Sequence, residues 1–179
     1  MKKVSSFIVA LLFPLFVSAQ SLPPTGITPY TFNLVWNYMQ SGGYEPSQLD
    51  KAERLLTNAG YHKVGKFNQP IGYNLVYAKA CTVKVSSEGF VESASPNKEP
   101  GYSSYIEVGP GVGMDWGMSV TFISKKGTNA FIELLKKGEY TYHATENPGW
   151  LRQSDGCYFL QRDKTFSVSD VIGGDEMLE

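Results

Sequence analysis

Tyr73-Asn74-Leu75-Val76-Tyr77-Ala78-Lys79-Ala80-Cys81-Thr82-Val83-Lys84-Val85 is the stretch in which the chain changes period. Tyr73, Leu75, Tyr77, Cys81, Val83 and Val85 alternate with Asn74, Thr82 and Lys84, which puts the apolar set on one face of an extended chain. The length predicts one half-buried strand, or two joined at a bulge near Ala78 to Ala80.

Toward the N-terminus the period is helical. Leu49, Ala52, Leu55, Leu56 and Ala59 share one stripe over 46–59, Ser47 and Asp50 form a near capping box, and Gly60 is placed to close the helix in a left-handed conformation. An earlier helix is predicted from Pro29, capped by Thr28, with Phe32, Val35, Trp36 and Met39 on its stripe before Gly42 and Gly43. The short link over 41–44 lets the two helices pack as an antiparallel pair.

Toward the C-terminus, residues 86–101 are polar apart from Phe90 and Val91 and read as a loop or hairpin tip. Residues 105–108 and 118–123 flank the Gly-rich segment 109–117 as a wide antiparallel hairpin. A third helix is predicted over 128–137, with Phe131, Leu134 and Leu135 inward and Gly138 at its end. Residues 140–144, 157–162 and 165–171 read as strands, and 172–179 as a short acidic tail. Strands and helices without regular βαβ alternation argue an α+β domain, an antiparallel sheet packed with two or three helices.

The chain also echoes itself. Leu55-Leu56 with Tyr61 matches Leu134-Leu135 with Tyr140, and Thr82-Val83-Lys84-Val85-Ser86 matches Thr165-Phe166-Ser167-Val168-Ser169. A tandem helix-plus-sheet layout of this kind resembles that of the β-lactamase inhibitor protein class and of small bacterial envelope lipoproteins with a related fold. The resemblance is one of layout over most of the chain, it carries no diagnostic motif, and the lipoprotein cysteine is missing.

Lys2 and Lys3 precede an apolar run over 7–17, and Val17-Ser18-Ala19 matches the small-residue pattern that a signal peptidase reads. Residues 1–19 are therefore expected to be a signal peptide cleaved after Ala19, followed by a linker over 20–27 and a single soluble domain to 179, periplasmic or extracellular. No later run approaches the length of a spanning helix, so membrane insertion of the mature chain is not expected. Without Lys2 and Lys3 the chain holds fourteen basic and seventeen acidic residues, a net charge of −3. That balance argues against nucleic acid, which requires a concentrated basic face.

Charged residues make up 18% and aromatics 13%, so the surface is built largely from Ser, Thr, Asn, Gly and Tyr, which suits a carbohydrate or protein partner. Cys81 and Cys157 are the only cysteines and are candidates for one disulfide in an oxidising compartment, with buried free thiols as the alternative. His62 and His143 have no second ligand at metal spacing, and neither a paired-cysteine motif nor a nucleophile elbow occurs, so no metal, cofactor or catalytic residue is assigned.

Asp115 beside Trp116 is the most suggestive acid, since an indole raises a neighbouring pKa or stacks on a sugar ring; an Asp in a turn more commonly bonds its own backbone. Trp116, Trp150, Tyr102 and Tyr105 sit in or beside loop-like sequence as candidate ligand-binding aromatics, the competing reading being a Trp folded back over the core. The leading expectation is an exported, non-enzymatic binding protein for a carbohydrate or protein surface. The alternatives are a small cell-envelope hydrolase with a carboxylate pair and a purely structural envelope module.

Overall fold

The computed structural model describes residues 25–42, 46–70, 72–97, 100–110 and 116–169. The signal-peptide reading, the first residues of the expected linker, Asp115 and the acidic tail lie outside the described residues. The last part of that linker belongs to the domain, since Thr25 and Ile27 are fully buried and the Thr25 hydroxyl donates to the Ile27 carbonyl at 2.9 Å.

Two helices, α1 (Pro29–Gly42) and α2 (Pro46–Asn58), come first. Six strands follow: β1 (His62–Asn68), β2 (Tyr73–Lys79), β3 (Cys81–Val85), β4 (Val91–Pro96), β5 (Ser104–Pro110) and β6 (Trp116–Phe122). Helix α3 (Lys125–Lys137) then leads into β7 (Thr141–His143), β8 (Gly149–Arg152), β9 (Cys157–Arg162) and β10 (Thr165–Ser169). Eight strands make one antiparallel sheet in the order β1-β2-β5-β6-β10-β9-β8-β7, and β3 and β4 pair separately. The class is α+β, as the sequence predicts.

The sheet divides into two halves of one design. Helix α2 leads into the meander β1-β2-β5-β6, helix α3 leads into β7-β8-β9-β10, and the two meet where β6 pairs with β10 from Thr121↔Thr165 to Gly117↔Ser169. Both helices stop in the same way. The Tyr61 N–H donates to Leu56 O at 2.9 Å and the Tyr140 N–H to Leu135 O at 3.1 Å, a bond across five residues that requires a left-handed residue just before the tyrosine. That residue is Gly60, at φ 89°, in one half and Glu139, at φ 65°, in the other, so Glu139 rather than Gly138 makes the reversal after α3. The strand part of the sequence echo is not a structural equivalence: residues 82–86 fall in the β3–β4 pair, whereas β10 occupies the fourth place of its meander, as β6 does.

Ala80, at φ 51°, breaks the long alternating stretch into two strands. Past this kink β3 leaves the main sheet, pairs with β4 and folds back over β2 and β5. Residues expected to be a loop or hairpin tip thus include a real strand, whose outward positions are polar because they face water. The bonds that hold the hairpin down include Val91 N–H to Glu107 Oε1 at 2.9 Å, Asn74 Nδ2 to Glu88 O at 2.8 Å, Gln69 Nε2 to the same carbonyl, and Cys81 Sγ to Ser104 O at 3.3 Å. Val76 and Ala78 on the outer face of β2 are buried beneath it. Its turn requires Gly89, at φ 86°, because a Cβ there would stand 2.7 Å from Phe67 Cβ and 2.8 Å from Asn74 Cβ.

All three described helices lie on the other face. Phe32, Val35, Trp36, Leu56, Leu75, Ile106, Val120, Phe131 and Phe159 form one continuous core there. Phe131 of α3 stands at the seam, its ring 5.4 Å from Phe122, 6.1 Å from Phe159 and 4.8 Å from Phe166. Thr28 caps α1 as expected, its hydroxyl accepting the Thr31 N–H at 3.0 Å. Helix α3 starts one turn earlier than its apolar stripe suggests, because Ser124 supplies the N-cap and accepts the Gly127 N–H. Among the described residues no helix is long and apolar enough to cross a membrane.

Candidate functional site

Strand alternation decides what the outer face of the sheet displays. Ser104, Ile106 and Val108 of β5 and Met118, Val120 and Phe122 of β6 are buried toward the helices, so Tyr105, Glu107, Ser119 and Thr121 point outward. Register then builds two rows across the strands. One joins Tyr105, Thr121, Thr165 and Arg162; the other joins Glu107, Ser119, Ser167 and Leu160. Each crosses four strands, a width of about 14 Å at the usual strand spacing.

The first row is bonded from Tyr105 to Thr165. The Tyr105 hydroxyl bonds to Thr121, and Thr121 Oγ1 lies 2.9 Å from Thr165 Oγ1. In the second row Glu107 sits beneath the hairpin edge. Burial pushes its carboxyl above the usual carboxylate range, and the Val91 N–H that it accepts pulls the other way. The principal element contacts of β6, β10 and β9 are with neighbouring strands and, for β6, with α3, while those of β3 beyond its own hairpin are with β2 and β5.

Of the residues singled out from sequence, Tyr105 belongs to this face. Tyr102 lies in the short turn Pro100–Tyr102 before β5, with Lys126 Nζ 4.9 Å from its ring centre. Trp116 starts β6 opposite Pro110, at the end of the sheet from which the 111–115 segment departs. Asp115 lies outside the described residues.

Trp150 is a correction to the binding-aromatic reading: it is 7% exposed and part of the core. The cause is register, since Trp150 pairs with Phe159, whose ring faces the helices. Its indole N–H donates to Gln161 Oε1 at 2.7 Å, and its ring lies 5.3 Å from Tyr142. Trp150 and Tyr105 therefore stand on opposite faces, four strand positions or about 19 Å apart.

The disulfide is corrected as well, because Cys81 and Cys157 are both free. Cys81 bonds to Ser104 O beside β5, and Cys157 lies on β9, three strand spacings or about 14 Å further on, where a bridge requires Cα atoms within roughly 7 Å. Cys157 Sγ instead accepts the Tyr140 hydroxyl at 3.3 Å. Burial raises both thiols above their ordinary pKa, which favours the less nucleophilic protonated form.

Beside Cys157, Arg152 donates to both Asp155 oxygens at 2.9 and 2.5 Å and lies 4.8 Å from the Tyr140 ring centre. The guanidinium holds the Asp155 carboxyl below its usual range, and Asp155 Oδ1 accepts the Cys157 N–H at 3.2 Å. This set fixes the β8–β9 turn. His62 and His143 occupy β1 and β7, opposite edges of the sheet about 34 Å apart. Among the described residues no three His, Cys, Asp or Glu side chains gather as a metal site.

Sequence reasoning missed Ser119, Thr121, Thr165 and Ser167. Their signal was present as hydroxyl residues alternating with Met118, Val120, Phe122, Phe166 and Val168.

Fold and site together define an α+β protein of two helix-plus-meander halves, with a hairpin over part of the outer face and a hydroxyl-lined surface beyond it. Comparison with family models, with curated proteins and with solved structures found no match to this chain.

Proposed function

We propose that this chain is an exported, non-enzymatic binding protein that receives a protein partner on the outer face of β5, β6, β10 and β9. The observation that carries the reading is the pair of rows described above, in which Tyr105, Ser119, Thr121, Thr165 and Ser167 stand beside the hairpin-edge residue Glu107 on the outward side of β5, β6 and β10. Short hydroxyl side chains lose little rotamer freedom on contact, offer both donors and acceptors, and leave backbone and aromatic surface within reach of a partner. A face four strands wide suits a protein surface better than a single sugar ring. The sequence over 1–19 supports export.

The test is retention of envelope proteins on the immobilised chain, with Ser119→Arg as the probe variant and Arg54→Glu, on the helical layer, as the control. A species held by the wild type and the control but lost from Ser119→Arg supports the reading. Equal retention on all three contradicts it, and saturable binding on a glycan array, abolished by the same substitution, reassigns the face to carbohydrate.

A further inference from the structure

We propose that the groove between α1 and α2 is the docking site of the chain's own C-terminal segment, residues 170–179. The groove lies on the helical layer, away from the face assigned above. It has a volume of about 230 Å³ and is lined by Leu34, Tyr38, Lys51, Arg54 and Leu55. Tyr30, one turn before Leu34, is 67% exposed, so Tyr30, Leu34 and Tyr38 continue one apolar stripe at helical spacing on the outer side of α1. Lys51 Nζ stands 5.5 Å from the Tyr38 ring centre. An apolar floor rimmed by an ammonium and a guanidinium calls for an occupant that is apolar and acidic together.

Residues 170–179 have that composition. Asp170, Asp175, Glu176 and Glu179 are interspersed with Val171, Ile172, Met177 and Leu178, and no basic residue is present. The segment lies outside the described residues, and its point of departure is the end of β10. That point is Ser169, opposite Gly117, at the end of the sheet where the β5–β6 hairpin turns.

A Cβ on Gly26, just before α1, would fall 2.3 Å from Ala59 O and 1.9 Å from Lys79 Nζ, and Lys79 pairs with Ser104. The start of α1 and the end of α2 thus share the Ser104 end of the sheet. Tyr38 lies in the third turn of α1 and Lys51 in the second turn of α2, so the two stand across the groove from each other. Ten extended residues reach up to about 33 Å, against a length of about 21 Å for the 14 residues of α1.

The test places a photoreactive amino acid at Met177 in the full chain and maps the cross-links by mass spectrometry. The result expected is an intramolecular cross-link to α1 or α2 around Tyr38 and Leu55. Its yield falls roughly fivefold with Lys51→Glu plus Arg54→Glu and recovers when Asp175→Lys and Glu176→Lys are added. The recovery separates a lost ion pair from a damaged fold. Cross-links mapping elsewhere, cross-links between two molecules, or a yield indifferent to the charge reversals overturn the proposal.

Discussion

In the first half of the molecule α2 ends through Gly60, its tyrosine bonds to Ser104, and a hairpin inserted between β2 and β5 lies over the outer face. In the second half α3 ends through Glu139, its tyrosine bonds to Cys157, and the meander from β7 to β10 runs without an insertion. The device the halves share is the bond donated by the tyrosine N–H to the Leu56 or Leu135 carbonyl, which sets the direction of the chain as it enters the sheet. What separates them is the chemistry of the outward strand positions. Val76 and Ala78 on β2 are apolar and lie under the hairpin; Ser119, Thr121, Thr165 and Ser167 are compatible with water and lie beyond it. Cover follows the side chains that require it, and the surface left over is the one assigned to binding.

The comparison can be broken most severely at its seam. Phe131→Ala removes a ring packed against Phe122 of one half and Phe159 and Phe166 of the other, and is expected to cost about 3 to 5 kcal/mol in denaturant unfolding. Two separate transitions in place of one weakened transition would show that the halves are independent.

The helix-end tyrosines come next. Tyr61→Phe strands the Ser104 hydroxyl, which is fully buried, and is expected to cost about 1 to 2 kcal/mol. Tyr140→Phe removes a bond to a weak sulfur acceptor and is expected to cost less than about 0.5 kcal/mol. Equal losses would contradict the distinction drawn between the two pairs.

The left-handed residues sharpen the comparison, because the halves should respond with opposite signs. Gly60→Ala has room for its Cβ, with Lys79 Cε at 3.5 Å, so its cost of about 1 kcal/mol is conformational. Glu139→Gly relieves the same strain and is expected to stabilise by up to about 1 kcal/mol.

The smallest effect is electrostatic. Burial raises the Glu107 carboxyl above its ordinary value of 4.5, so the folded chain holds this proton more tightly than the unfolded chain. Its contribution is full below pH 4.5 and is lost as pH rises through the raised value. Stability measured against pH should therefore show wild type losing ground to Glu107→Gln as pH rises through that window. A wild type that gains on the variant would mean that the Val91 N–H outweighs burial.

Periodicity carried much of this architecture in the sequence. The apolar stripes located the cores of the three helices, and the alternation on either side of Ala80 announced strands. Strand β1 was hidden because Lys63, Gly65 and Lys66 belong to an edge strand, where charge and irregularity discourage further pairing. Strand β8 was hidden by its start in Asn147-Pro148-Gly149, which reads as a turn.

The site was less legible. Tyr105 was selected for its ring, but the hydroxyl rows exist only after β6 and β10, 43 residues apart at Phe122 and Thr165, are brought side by side. Trp150 reads as a loop aromatic for the same reason, since its face is set by pairing with Phe159 and not by the turn before it.

The most direct measurement compares the unfolding midpoints of Val76→Arg and Ser167→Arg. Both positions point outward from the sheet, one under the hairpin and one beyond it. Val76→Arg is expected to lose most of the fold's stability, and Ser167→Arg to unfold near the wild-type midpoint. Comparable losses at the two positions would mean that the outer face of β10 is packed against something else, and would contradict its assignment as the open, binding surface.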